Sequence, residues 1–229
     1  MRIIYMTLML LLGLNNAANG ASYKYSLNKC RQIFSENQPK ITIEYSYGNL
    51  KYDFSKNKEE LQELFKSRID DTVTNEGKMM GLTSLNPHMQ LGLQSVAHYE
   101  MSDGRICSYP KEIAIKVYFD NPVIYISSDL PKGSCAFNTN LRHEQTHIDI
   151  GYASMNLFLQ ELRDKVPDIL RQTGVSVAFK DVAAKTKELE EINQQQIVAM
   201  FNSFQDAMTK QQNRLDTNES YNWLSSLCP

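Results

Sequence analysis

The chain reads as an α+β protein, with a β-rich N-terminal half followed by two long antiparallel helices. Three observations predict this. Between Ile41 and Ser128, short stretches alternate apolar and polar residues and are separated by turn pairs. From Asn138 onward the apolar residues recur every three or four positions. Within that second region only Pro167 and Gly174 interrupt the pattern, which divides it into two helices. Strands gathered first and helices second is the order of an α+β domain.

The first elements follow from local patterns. Arg2, the apolar run Ile3–Leu14 and the small polar stretch Asn15–Ala21 have the layout of a secretory signal peptide. Small residues at Ala18 and Gly20 put cleavage near Gly20, so residues 1–20 are read as leader and 21–229 as a single domain. A run this short falls below the roughly 20 apolar residues that a membrane span needs. Ser26–Asn37 reads as a short helix ended by Pro39. Ile41–Tyr47 and Leu50–Phe54 alternate about Gly48-Asn49 and read as a hairpin. Lys56–Val73 reads as a helix with Leu61, Leu64, Phe65 and Ile69 on one face.

The strands of the β-rich region, 40–130, come next. Gln90–Met101 and Arg105–Ser108 flank the turn pair Asp103-Gly104. Ile113–Phe119 alternates, Asp120-Asn121-Pro122 turns, and Val123–Ser127 follows as a strand. Asp129–Ser134, with Pro131 and Gly133, is a loop. In the helical region, 138–225, Thr139–Lys165 carries Leu141, Ile148, Tyr152, Met155, Leu159, Leu162 and Val166 on one stripe, and Ile150, Leu157 and Phe158 on a second face. That pattern predicts a helix buried on two sides. Phe179 to about Arg214 forms the other long helix, with Val182, Leu189, Ile192, Ile197, Met200, Phe204 and Met208 inward.

Composition limits the function. The chain has 24 Lys+Arg against 26 Asp+Glu, no basic run and no aromatic–basic interleaving, which weighs against nucleic acid as a partner. No segment after the leader is apolar enough to enter a membrane. The four cysteines, Cys30, Cys107, Cys135 and Cys228, all follow the leader. An even count in an exported chain predicts two disulfides. The expected pairs are Cys107–Cys135, bracketing a hairpin, and Cys30–Cys228, tying the two ends. Export places the protein in the periplasm or outside the cell.

The chemistry concentrates in His143-Glu144-Gln145-Thr146-His147. Four residues advance a helix by about 400°, so the two imidazoles project from one side, one turn apart, as two ligands of one tetrahedral zinc require. Glu144 lies about 100° away and is free to take a proton from the attacking water and return it to a leaving amine. At this composition the H-E-x-x-H pattern is expected by chance only about 0.004 times. A third ligand cannot come from Glu161, 14 residues past His147 and so about 21 Å along the same helix. The second helix runs back antiparallel and regains the metal's level at roughly 198–206. That brings in Asp206, or Asp216, Glu219 and Tyr221 just beyond. His88 and His98 lie in the β-rich half and read as surface or core histidines. The strand Val123–Ser127 before the metal helix either lines the cleft with a free edge, able to pair with an extended peptide, or is internal.

Leu141–Ile150, written LRHEQTHIDI, resembles a bacterial family of predicted secreted zinc-dependent proteases, which shares an HEQxHxDI block, two helices and a Gln-rich segment with an Asp motif near the C-terminus. Here that tail is Gln211–Tyr221, followed by Trp223. The resemblance covers about residues 80–225 and implies a zincin-like fold and a zinc metallopeptidase. It favours His143, His147 and Asp216 as zinc ligands, with Glu219 next, and Glu144 as general base. Tyr221, where the family often has His, is then a hydrogen-bond donor to the oxyanion of the tetrahedral intermediate. Asp149 reads as a supporting carboxylate. The expected substrate is a peptide or protein. The alternatives are a non-catalytic zincin-like binding module of the cell envelope and a hydrolase of peptidoglycan amides.

Overall fold

A computed structural model describes residues 22–66 and 80–228. The leader, 1–20, and the end of the Lys56–Val73 helix lie outside the described residues. The described elements run α1 (22–36), β1 (Lys40–Ser46), β2 (Lys51–Asp53), α2 (Lys58–Lys66), β3 (Gly81–Ser84), β4 (Pro87–Glu100), β5 (Ile106–Phe119), β6 (Val123–Ile126), α3 (Cys135–Thr173), β7 (Ser176–Ala178), α4 (Val182–Asn213) and α5 (Asn218–Ser226). The α+β class holds. One sheet has the order β1–β5–β4, with β7 also on β5; the other is β2–β6–β3.

The chain divides into two compact units, each built from three segments: Met1–Thr42, Leu91–Ile115 and Arg163–Val198 in one; Ile43–Gln90, Lys116–Leu162 and Ala199–Pro229 in the other. The β-rich and helical stretches of sequence thus each contribute to both units.

In the first unit β7 runs antiparallel to β5, pairing Ile106 with Ala178 and Ser108 with Ser176. Phe34 of α1 meets Tyr109 edge-on at 5.8 Å. Val166 and Leu170, both fully buried, flank Pro167, and α3 continues through that proline to Thr173. Pro167 was expected to end the helix, since proline removes a helical hydrogen bond and crowds the preceding turn. Burial of the neighbouring turns outweighs that cost here, and the stop falls at Gly174, whose N–H donates to the Leu170 carbonyl (2.7 Å).

The second unit holds the sheet β2–β6–β3. β2 is parallel to β6, with Lys51 opposite Val123, and β3 is antiparallel to it, with Leu82 opposite Tyr125. The expected hairpin about Gly48-Asn49 does not form, because β1 pairs with β5 and β2 with β6. Gly48 (φ 69°) serves a close approach instead: a Cβ there would stand 2.6 Å from the Phe119 carbonyl oxygen and 2.7 Å from Pro122. β6 is the middle strand, so the internal alternative is the one realised. Ile124, Ile126, Phe137 and Ile148 form one core cluster of this unit, with Leu85, Leu141 and Tyr152 packed around it.

Helix starts are secured by side chains. Asn57 and Glu60 cap α2 reciprocally, each side chain accepting from the other's backbone N–H (2.9 and 2.8 Å). Ser134 accepts from the Phe137 N–H at the head of α3 (3.1 Å). Within the second unit α3 and α4 are antiparallel, since His147 meets Gln212 while Phe158 stacks on Phe204 at 4.7 Å. The apolar stripes are correct in outline, with two corrections. Leu157 is 68% exposed, so α3 has no complete second buried face, and Ile192 is exposed while Phe201 is buried.

Both disulfide expectations are overturned. The bridges are Cys30–Cys107 and Cys135–Cys228, with Cα separations of 5.4 and 5.6 Å. Each bridge lies within one unit: the first joins α1 to β5, the second the start of α3 to Cys228, two residues beyond α5. Partition of the cysteines between the units decides the pairing, and sequence separation does not.

Candidate metal centre

The second unit supplies every residue of the site. Helix α3 carries His143, Glu144 and His147, each under 8% exposed. Helical spacing does what it was expected to do: the two Nε2 atoms stand 3.3 Å apart. α4 ends at Asn213, and Thr217 opens α5 by accepting from the Ser220 N–H (3.1 Å). Asp216 falls in the break between these helices, and there its Oδ1 reaches both imidazoles, 3.2 Å from His143 Nε2 and 3.2 Å from His147 Nε2. Among the described residues His143, His147 and Asp216 form a group that could hold a metal ion. Of the other ligand candidates, Asp206 and Glu219 are exposed and outside this group, as is Asp149. His88 stacks on Tyr118 and His98 hydrogen-bonds Ser108, and neither belongs to this group.

Tyr221, on the first turn of α5, is 9% exposed and donates its hydroxyl to Asp216 Oδ1 (2.9 Å). Burial, and then the Asp216 carboxylate, push its phenol well above the usual range. Burial alone would raise the Asp216 carboxyl. Hydrogen bonds from the two histidines and Tyr221 outweigh it and hold that carboxyl well below the ordinary carboxylate range. Burial likewise disfavours charge on His147, yet the hydrogen bond to Asp216 and the charges of Glu144 and Asp216 raise its pKa from 6.5 to about 9. Glu144 is pushed up by burial, against the pull of His147 and His143 and a hydrogen bond from Thr83.

Three residues in this site escape a reading of the sequence. The Thr83 hydroxyl lies 2.8 Å from Glu144 Oε2 and 2.9 Å from the Glu144 carbonyl, anchoring the carboxylate to β3. Gly81 makes room for that carboxylate, since a Cβ on Gly81 would sit 2.7 Å from Glu144 Oε1. Gln212 contacts His147 twice, accepting from Nδ1 and donating from Nε2 to the His147 carbonyl (2.9 Å). Gln212 alone left a signal: with Phe204 and Met208 it continues the buried i, i+4 stripe of α4, and a polar residue on such a stripe must find a partner.

A cleft of about 230 Å3 opens at the site, lined by β3 and the residues after it, by Glu144 and His147, and by Met208, Gln212, Asp216 and Tyr221. Its apolar lining is Leu82, Leu85 and Met208; its charged groups are those of the centre itself. No family model, curated protein or solved structure matches this chain.

Proposed function

We propose that the protein is an exported, zincin-like zinc metallopeptidase that hydrolyses a peptide or protein amide bond. The observation that carries this is the spacing of the three ligand atoms. Ligands about 2.0–2.1 Å from a zinc at the tetrahedral angle stand about 3.3 Å apart; here the separations are 3.2, 3.2 and 3.3 Å. Two imidazoles and one carboxylate are also the donor set of a catalytic zinc with one position left open.

Bound there, zinc would supply Lewis acidity toward water and the substrate carbonyl. The chain's own residues do the rest. Glu144 is buried beside the two histidines, with one oxygen held by Thr83, and its raised affinity for protons suits a general base. It takes a proton from the attacking water and delivers it to the leaving amine. Tyr221 keeps its proton far above neutral pH, and its one O–H is donated to Asp216 in this structure; the same hydroxyl serves a developing oxyanion only by turning away from Asp216. Two disulfides and the lack, among the described residues, of a helix able to cross a membrane accord with a periplasmic or extracellular site of action.

The test is elemental analysis of the purified protein together with Glu144→Gln. One zinc per chain, retained in the variant while hydrolysis of a peptide library is lost, is the expected result. Wild-type protein without stoichiometric zinc refutes the proposal. An intact zinc site with no hydrolysis of peptides or cell wall points instead to the binding-module alternative.

A further inference from the structure

The two disulfides differ in a way that bears on the metal centre. Cys30 and Cys107 are both 0% exposed. Cys135 is exposed and Cys228 half-buried. Cys135 is also the first residue of α3, where the helix dipole stabilises a thiolate. A bridge whose reduced form is stabilised is the easier one to reduce.

This accessible bridge encloses all three candidate ligands. The loop from Cys135 to Cys228 contains His143, Glu144, His147, Gln212, Asp216 and Tyr221. Its last element is α5, nine residues long, too short to persist as a helix on its own. α5 is held by burial of Tyr221 and Leu224, by the Thr217 cap and by the bridge at Cys228, two residues past its end. Through Tyr221 it also holds Asp216, the one ligand not on α3.

We propose that Cys135–Cys228 is a modification site, at which an external dithiol loosens the metal centre by thiol–disulfide exchange; the consequence for metal rests on the zinc reading above. A thiolate of the dithiol attacks Sγ of Cys228. The new S–S bond forms as the Cys135–Cys228 bond breaks, and Cys135, the better leaving group at its helix N-terminus, departs as thiolate. The second thiol of the reagent then attacks its own sulfur in the mixed disulfide and releases Cys228. The reagent ends as a disulfide, having passed two electrons and two protons to the protein. α5 frays, the Tyr221–Asp216 hydrogen bond is lost, and the third ligand is no longer held against the histidines.

The experiment uses the full chain with both bridges formed. Graded dithiothreitol, alkylation and mass spectrometry follow the thiols; hydrogen exchange follows residues 214–228; chelator competition gives zinc affinity. A Cys135→Ser/Cys228→Ser variant removes the bridge without leaving thiols to bind zinc. Expected are alkylation of Cys135 and Cys228 while Cys30–Cys107 stays intact, faster exchange across 214–228, and a 10–100-fold weaker zinc affinity in the double variant, the range typical for loss of a ligand's supporting partner. Simultaneous reduction of both bridges overturns the proposal, as does unchanged exchange, or zinc affinity in the double variant equal to that of the oxidised chain. If the oxidised chain binds no zinc, the zinc reading fails by itself, and alkylation with exchange on wild-type protein still decides whether the bridge governs α5.

Discussion

Gln212 fixes the tautomer of His147. Its Nε2 donates to the His147 carbonyl (2.9 Å), which turns Oε1 of the same amide toward His147 Nδ1. A carbonyl oxygen can only accept, so Nδ1 must carry the hydrogen, and in the neutral ring the lone pair lies on Nε2, the atom facing Asp216 and His143.

Gln212→Ala removes both contacts and frees the ring to rotate and change tautomer. Supporting partners of this kind are worth about 10–100-fold in metal affinity. The variant is expected to bind zinc that much more weakly, with little change in the global fold, as read by chelator competition beside circular dichroism. An affinity equal to wild type removes Gln212 from the centre.

Gly81 allows a different separation, of the carboxylate from the metal. A methyl group at this position would meet Glu144 Oε1 at 2.7 Å and Cγ at 2.8 Å. Gly81→Ala therefore displaces Glu144, while His143, His147 and Asp216 have no such conflict. Expected are zinc stoichiometry near wild type, a loss of kcat/KM, and destabilisation of about 1–3 kcal/mol from overpacking. Zinc lost in parallel with activity would contradict this.

How much of this was legible beforehand depended on range. His143, Glu144 and His147 are set by the 3.6-residue turn of one helix, and that local periodicity survives in the fold. Asp216 was reached only by counting back along an antiparallel helix and by resemblance; what places it is the break between Asn213 and Asn218, with Thr217 as cap. The hairpin at Gly48 failed because a glycine answers either of two demands, a tight turn or a close approach such as that to Phe119, and the sequence does not separate them. The disulfides failed because pairing follows the division into two units assembled from interleaved segments. Thr83 and Gly81 act across 61 and 63 positions of chain on Glu144, where no local pattern records the contact.

A metal at the proposed site would compete with protonation for one atom, His147 Nε2. Without metal, His147 keeps its proton up to about pH 9, held chiefly by Asp216 once the cost of burial is overcome. Its folded pKa lies above the ordinary 6.5, so its contribution to stability is complete below about pH 6.5 and disappears as pH rises through about 9. Asp216 is shifted down, so its contribution is present above its ordinary 3.8 and is lost on acidification. Zinc-free protein should therefore show urea midpoints that fall between pH 6.5 and 9, and zinc-loaded protein should not. Zinc uptake at pH 7–8 should release a proton from His147, visible as a dependence of calorimetric binding heat on buffer ionisation enthalpy. A flat midpoint for the zinc-free form across that range excludes the assignment.

Thr83 supplies a test of Glu144 as base that leaves the ligands untouched. Its hydroxyl stabilises the charged carboxylate, opposing the upward push of burial. Thr83→Val keeps the shape and removes the donor, leaving a buried carboxylate oxygen short of a partner, at a cost of about 1–3 kcal/mol. The Glu144 pKa then rises further, and the acidic limb of the pH profile of kcat/KM moves to higher pH, since that limb reports the base in the free enzyme. Thr83→Ser, which retains the hydroxyl, should restore the wild-type limb. If Thr83→Val lowers kcat/KM equally at every pH, Glu144 is not the group whose ionisation sets that limb.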